Sequence, residues 1–295
     1  MTPTPPASPL LTGKRVLVTG STAGIGRATA MALARLGADV MVMGRNAAKA
    51  AEVVADIRRE APATSPLAVT ADFASLAEVR SLAADVARHW DHLDVLVNNA
   101  GGVFPRRSQT VDGFERTWGV DHLAPVRLTL DLLPLLKAAG TARIVTVSSM
   151  MHAGATINFD DAAGESFAMM RAYSQAKLAN VLFTYALARR LQGTGVTATC
   201  LHPGMVASDL ARGMPRLLAP IYNLFMGLLA LTPEQGAATS VYAASAPELA
   251  GVTGVYFDKS REAASSPTSH DEALQERLWA VSLQQVGLDP AISLR

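Results

Sequence analysis

"VLVTGSTAGIGRATAMALARLGADVMVMGRN", residues 16–46, holds in one run a short apolar strand, a glycine-bearing turn, an Ala/Leu-rich helix and a second apolar strand. Gly20, Gly24 and Gly26 follow the spacing G-x-x-x-G-x-G, with Gly20 closing the strand and Gly26 already entering the helix. A side chain at such a turn would keep a pyrophosphate from the helix N-terminus, whose free N–H groups and positive dipole end bind anions. A glycine triplet alone is weak evidence, but the strand-turn-helix context makes this one a dinucleotide-binding turn. Ser21, Thr22 and Ile25, between the glycines, belong to the same candidate cofactor surface.

The same alternation continues along the chain. Apolar runs at 66–71, 93–101, 142–149, 196–204 and 253–257 join those at 15–20 and 39–44 as strands. Helical periodicity fills 25–36, 47–60, 75–90, 113–138, 171–192 and 234–245. Strands apolar on both faces and separated by helices imply a parallel sheet covered on both sides. The expectation is one α/β, doubly wound domain over residues 13–287 with seven strands, mainly parallel, because no linker interrupts the pattern. Residues 1–12 carry four prolines and no charge and read as a disordered tail. Residues 288–295 read as a C-terminal tail. Residues 205–232 break the rhythm with Met- and Leu-rich sequence and would form an apolar lid over the carboxyl edge of the sheet, where such folds bind ligands. A packed core or oligomer helix is the plainer reading of that stretch.

Composition removes several classes. Of 295 residues 49% are hydrophobic and 17% charged, so the chain is globular. A net charge of +1 without a Lys/Arg run excludes a nucleic-acid footprint. The single cysteine, Cys200, forms no internal disulfide and fits a reducing, cytoplasmic setting. The most apolar stretch, 217–231, is interrupted by Pro220 and Asn223 and is shorter than the roughly 20 residues that span a bilayer. Peripheral membrane contact and a homo-oligomer stay open. Six histidines at unrelated spacings suggest no metal.

The second strand indicates which dinucleotide. Asp39 begins it and, at about 3.3 Å per residue, lies far from the carboxyl end. That end reads "GRN", with Gly44 where an acid would bind the ribose 2′-OH of NAD and Arg45 where a 2′-phosphate would be received. NADP(H) is favoured, with NAD(H) the second choice.

In "RAYSQAKLANVLF", 171–183, Tyr173 and Lys177 lie four apart on an otherwise apolar helix, hence on one face. A cation there favours phenolate, which makes the tyrosine a proton donor and acceptor.

The glycine spacing, "NNAG" (98–101), "SS" (148–149), "YSQAK" (173–177) and "HPG" (202–204) occur in the order and strand context of the short-chain dehydrogenases/reductases, which the chain resembles over residues 12–285. "GFERTWGVDHL", "YSQAKLANVLFTYALARRLQGTGV" and "ERLWAVS" resemble its retinol dehydrogenase-like branch, which acts on apolar carbonyls and alcohols. The resemblance implies a Rossmann fold with Tyr173 as acid/base, Lys177 as its partner and Ser149 as the hydroxyl that binds the substrate oxygen. Ser148, one residue away on a strand, would point elsewhere. The separation of Ser149 from Tyr173 is longer than usual in the family but like that branch, so residues 150–172 form a loop beside the site. Within it "NFDD" is a turn rather than a metal site.

The family's fourth catalytic residue is an asparagine supporting a water relay to the lysine, partly through its backbone carbonyl. Asp121 stands in that slot, keeping the carbonyl while changing the charge, so its effect on the relay stays open; His122 reads as a packed helix residue. By the same resemblance Asn99, Ala100 and Gly101 line the cofactor through backbone groups and Asp72 meets the adenine edge, with a plain helix-start acid as the alternative for Asp72. Pro203, Gly204 and Val206 face the nicotinamide, with Ser208 where threonine is common.

These features predict an NADP(H)-dependent alcohol dehydrogenase/carbonyl reductase for a small apolar carbonyl or alcohol. The rival class is a non-catalytic protein holding NADP(H) as a structural or redox-sensing ligand, with Asp121 the mark of a lost relay. Retention of Ser149, Tyr173 and Lys177 speaks against it. An epimerase or dehydratase of related fold is disfavoured by Ala23, since those relatives space glycines G-x-x-G-x-x-G.

Overall fold

β1 (Arg15–Val18) is apolar and buried from Val16 onward because both of its faces are covered, and it lies where the strand order reverses. The computed structural model describes residues 10–204 and 231–294. Val206, Ser208 and positions 205–230 of the expected lid lie outside the described residues. An eight-stranded sheet runs β3-β2-β1-β4-β5-β6-β7-β8. Its strands are β2 (Asp39–Gly44), β3 (Leu67–Thr70), β4 (Val95–Asn98), β5 (Ala142–Val147), β6 (Val196–His202), β7 (Val255–Asp258) and β8 (Arg261–Ala263). The first seven pair in parallel; β8 runs antiparallel to β7.

The two faces divide the strand side chains by alternation. Val16, Val18, Val40, Val42, Val95 and Val97 pack beneath α1 (Gly24–Arg35) and α2 (Ala47–Glu60). Leu17, Met41, Met43 and Leu96 face the other way, toward α3 (Leu76–His89) and the helices that follow β4. Asn46 caps α2 by accepting from the Lys49 N–H, and Ser75 caps α3 by accepting from Glu78 N–H.

Three features depart from the sequence expectation. The helix predicted over 113–138 is broken into α4 (Arg116–Trp118), a π-helical turn (Gly119–Leu123), α5 (Ala124–Asp131) and α6 (Leu133–Ala138). Pro125 and Pro134 have no N–H to donate four residues back, which interrupts the ladder. The eighth strand follows a two-residue turn in which Lys259 and Ser260 take φ of 50° and 55°, left-handed values that neither residue type advertises.

The third departure is a C-terminal helix. After α7 (Met169–Arg190) and α8 (Pro233–Ser245) comes α9 (Glu272–Gln285), which the apolar pattern did not predict. Its buried stripe includes Gln275 and Ser282 beside Leu278, Trp279 and Leu283, so its periodicity is weak, although Asp271 caps it by accepting from Leu274 N–H. α9 packs on α7, whose residues Ala176 to Ala188 are all buried. Beyond it, Leu294 is buried in the same core.

Trp279 fixes that packing: its ring stacks on Phe183 at 5.3 Å and the Arg190 guanidinium lies 4.1 Å above it. Trp279→Ala should therefore cost about 3–5 kcal/mol, read as a lowered denaturation midpoint. A loss below about 1 kcal/mol would show that α9 is not docked through this residue.

Candidate active site

The glycine turn reaches α1 at an N-terminus that differs from its neighbours. Ala23 is the N-cap, and no side chain among the described residues accepts from the first turn of α1; α7 also starts without a side-chain cap, whereas α2, α3, α8 and α9 each have one. Among the described residues a Cβ at Gly24 would meet nothing within 4 Å, so none of them covers those donors. At Gly26 a Cβ would fall 2.3 Å from the Gly20 carbonyl oxygen and 2.4 Å from Asn99 Nδ2, so only glycine admits this close approach. An uncapped helix start that no described residue covers and glycine contacts below it fit a dinucleotide pyrophosphate.

Asn99 braces this turn with its side chain. Its Nδ2 donates to the Thr19 carbonyl at 2.8 Å and the Gly20 carbonyl at 3.3 Å. The N–H groups of Asn99 and Ala100 both donate to Thr19 Oγ1 at 3.0 Å, so they are not free for a ligand. Ser21 departs from the cofactor surface expected for it. Fully buried, its hydroxyl donates to the Val18 carbonyl at 2.7 Å and accepts from Met43 N–H at 2.9 Å, bracing β1 against β2 instead of facing the cleft.

At the carboxyl end of β2, Gly44 is pressed by Thr22, whose Cγ2 lies 2.4 Å from where a Cβ would be. An acidic side chain has no room there. Arg45 beside it is exposed and has no ion pair among the described residues. Asp72 closes its own turn by accepting from Ala74 N–H at 3.0 Å, while its N–H donates to Glu78 Oε2 at 2.7 Å. Both bonds are local to the start of α3, whose cap is Ser75.

Tyr173 and Lys177 occupy one face near the start of α7, with the Lys177 Nζ 5.4 Å from the Tyr173 ring centre. Lys177 is 5% exposed, and its ammonium donates to the Val147 carbonyl at 3.3 Å. Ser148 and Ser149 diverge after β5. Ser148 Oγ donates to the Lys177 carbonyl at 2.7 Å, fastening the strand to α7, while Ser149 Oγ accepts from Met151 N–H at 3.2 Å at the head of a short turn, Met150–His152. Pro203 and Gly204 follow β6 at the same carboxyl edge.

Asp121, in the π-helical turn, brings its carboxylate to 3.5 Å from Lys177 Nζ and accepts from Gly102 N–H at 3.0 Å. Its backbone oxygen accepts from Asn180 Nδ2 at 2.9 Å. That oxygen is available because the residue four ahead is Pro125, which has no N–H to donate. Burial pushes the Asp121 carboxyl up to about 6, against the pull of Lys177 and the Gly102 amide. Burial also pulls Lys177 down, but the charges of Asp121 and Tyr173 outweigh it and the ammonium ends above its ordinary value. At neutral pH the two therefore form a charged pair. His122 is a structural tie: its ring nitrogens meet Asn180 Oδ1 at 3.1 Å and Ser282 Oγ at 2.8 Å, and burial lowers it to about 4.

Two histidines meet at the Ser149 turn, His152, which carries no local sequence signal, and His202, which opens the "HPG" stretch. His152 bonds the Ser149 carbonyl at 2.7 Å, and His202 accepts from Met150 N–H at 3.3 Å. Residues 158–161 form the expected turn, Asp161 accepting from the N–H of Ser166 at 2.9 Å. Among the described residues no group of His, Cys, Asp and Glu could hold a metal ion, and no helix is long and apolar enough to cross a membrane.

A family model for short chain dehydrogenases matches residues 14–216. Retinol dehydrogenase 14 of Homo sapiens is 43% identical over 295 residues, covering 95% of this chain and 88% of that protein. Polyprenol dehydrogenase of Mus musculus is 42% identical over 290 residues, covering 96% and 87%. Among solved structures, a Pseudomonas aeruginosa RhlG/NADP active-site complex superposes with a TM-score of 0.65 at 27% identity, covering 84% of this chain and 96% of that one.

The buried pair predicts a titration. The Asp121 carboxyl should lose its proton near pH 6 instead of near its ordinary 3.8, and Lys177→Met, by removing a charge that pulls it down, should move it higher still. Side-chain carboxyl 13C shifts against pH measure both. Titration near 4 in the native protein would contradict the geometry.

Proposed function

Because the chain belongs to the short-chain dehydrogenase family, we propose that it is an NADP(H)-dependent oxidoreductase that interconverts an apolar aldehyde or ketone and its alcohol. The observation that carries this reading is the convergence of Ser149, Tyr173 and the buried Lys177–Asp121 pair at the carboxyl edge that also bears the glycine turn.

In this reading Ser149 Oγ and the Tyr173 hydroxyl bind the substrate oxygen between them. Tyr173 gives that oxygen a proton in reduction and takes one in oxidation. Lys177, held out of water, keeps a positive charge beside the phenol and so favours its ionised form. The Asp121 carboxylate, 3.5 Å from the lysine nitrogen, offsets part of that charge. When bound, the nicotinamide supplies or accepts the hydride at the substrate carbon.

NADP(H) is supported by Arg45, exposed at the end of β2, by the lack of room for an acid at Gly44, and by the NADP complex among the similar structures. The glycine turn and the uncapped start of α1 would hold the pyrophosphate. An apolar substrate is supported by the relatives named for retinol and polyprenol and by the cleft rim. Met150 and Met151 follow Ser149 and are 52% and 37% exposed; Met170, one turn before Tyr173, is 39% exposed. Methionine there gives an adaptable apolar contact surface.

Tyr173→Phe should lower kcat by about 10²–10⁴-fold while leaving NADPH affinity within a factor of about two. Steady-state reduction of a panel of apolar aldehydes measures the first and fluorescence titration the second; unchanged turnover would remove Tyr173 from the proton step, and no turnover by the native protein on any of the panel would favour the non-catalytic alternative. Arg45→Ala should weaken NADPH about tenfold or more, through loss of a charge-assisted bond, and NADH much less. Equal weakening of both would refute the 2′-phosphate role.

A further inference from the structure

We propose that His152 is a positioning residue for Ser149, coupling the serine's turn to the segment that follows β8. The proposal rests on the oxidoreductase reading above and adds to it a residue that touches neither substrate nor cofactor.

The hydrogen bonds determine the state of the ring. Ser266 N–H points at His152 Nε2 from 2.9 Å, and an amide N–H can only donate, so Nε2 accepts. Nδ1 then carries the proton and donates to the Ser149 carbonyl at 2.7 Å, which can only accept. The ring is 4% exposed and lies 5.0 Å from the Tyr256 ring. Burial lowers its proton affinity, in keeping with a neutral ring that is both donor and acceptor. The charged or titratable groups around it are His202 at the end of β6 and the Tyr256 phenol on β7.

The consequence falls on the serine. Its backbone leaves β5 and turns at once, so the direction of Oγ depends on where the peptide between Ser149 and Met150 is held. The His152 N–H closes the turn on that peptide's carbonyl at 3.1 Å, and two ring nitrogens aim the peptide from the sides: His152 Nδ1 on the same carbonyl and His202 Nδ1 on the N–H. The far end of the His152 bridge is anchored as well. Ser266 lies next to Ser265, whose Oγ meets Tyr185 Oη at 2.7 Å and Ser269 Oγ at 2.7 Å, and Ser269 in turn bonds the Ser266 carbonyl. A buried polar chain thus runs from α7 through residues 265–269 to the serine turn.

The test uses two variants that each keep one half of the bridge. Asparagine places an amide near Nδ1, so His152→Asn retains a donor to the Ser149 carbonyl and gives up Ser266. Glutamine reaches to Nε2, so His152→Gln retains an acceptor for Ser266 and leaves the Ser149 carbonyl without its ring donor, held only by the N–H of residue 152 at 3.1 Å. Each loses one buried bond, and their denaturation midpoints should fall by similar amounts. With NADPH and an aldehyde the native enzyme turns over, His152→Gln should lose about 10- to 100-fold in kcat, while His152→Asn stays within about threefold and both bind NADPH normally. Equal loss of kcat in the two variants, or loss that tracks the midpoints, would overturn the assignment. A 15N spectrum of the native protein at pH 7 showing His152 protonated at Nε2 would overturn it independently of turnover. Absence of turnover in the native protein would instead strike at the oxidoreductase reading.

Discussion

A lysine ammonium taken almost wholly out of water governs how this structure is put together around its cleft. Such a charge persists only with partners close by, and Lys177 has three from three parts of the chain: the Val147 carbonyl at the end of β5, the Asp121 carboxylate in the π-helical turn, and the face of Tyr173 one turn away on α7. Replacing a buried pair with apolar side chains is often neutral or stabilising by about 1–4 kcal/mol. The pair is therefore understood by the charge it places beside a phenol, not by what it adds to stability. Removing either member alone would leave the other buried and uncompensated.

The sheet makes that convergence available. With seven parallel strands, every carboxyl end opens on one edge, and the order reverses between β1 and β4. Asn99 ties the two sides of that reversal, its amide closing on the carbonyls of Thr19 and Gly20. Farther along the same edge, Ser148 joins β5 to α7 through the Lys177 carbonyl and Lys177 Nζ returns to the Val147 carbonyl, so the strand leading to Ser149 and the helix bearing Tyr173 are registered to each other by two hydrogen bonds. The glycine turn and the region of Ser149 and Tyr173 are thus set by neighbouring braces on one edge of the sheet.

Much of this was legible in the residues because it depends on local pattern. Valine-rich runs bounded by glycine are strands in this sheet, and the glycine spacing around 20–26 marks an uncapped helix start. What was not legible depends on partners distant in the chain. Ser21 reads as part of a phosphate turn, yet its hydroxyl is drawn inward by Met43 on another strand. Asp121 reads as a helix residue, and the proline that frees its carbonyl stands four positions later, where it was available as a signal that the helix must break. α9 escaped notice because Gln275 and Ser282 interrupt its apolar stripe, and both are buried for reasons supplied elsewhere: Gln275 donates to the Ser269 carbonyl and Ser282 meets His122.

Those two polar contacts alter the standing of the C-terminal region. Ser282 meets His122, which meets Asn180, which in turn holds the carbonyl of Asp121. Gln275 meets Ser269 in the segment whose neighbour Ser266 bonds His152 beneath Ser149. Two chains of hydrogen bonds therefore leave the last helix, one ending at the counter-charge of Lys177 and the other at the serine turn. Because a satisfied buried network is rigid and a broken one is costly, docking of α9 and shape of the cleft are a single condition. The upper turns of α7 can bear awkward polar groups because its lower turns, apolar from Leu178 to Ala188 apart from Asn180 and Thr184, are clamped beneath α9.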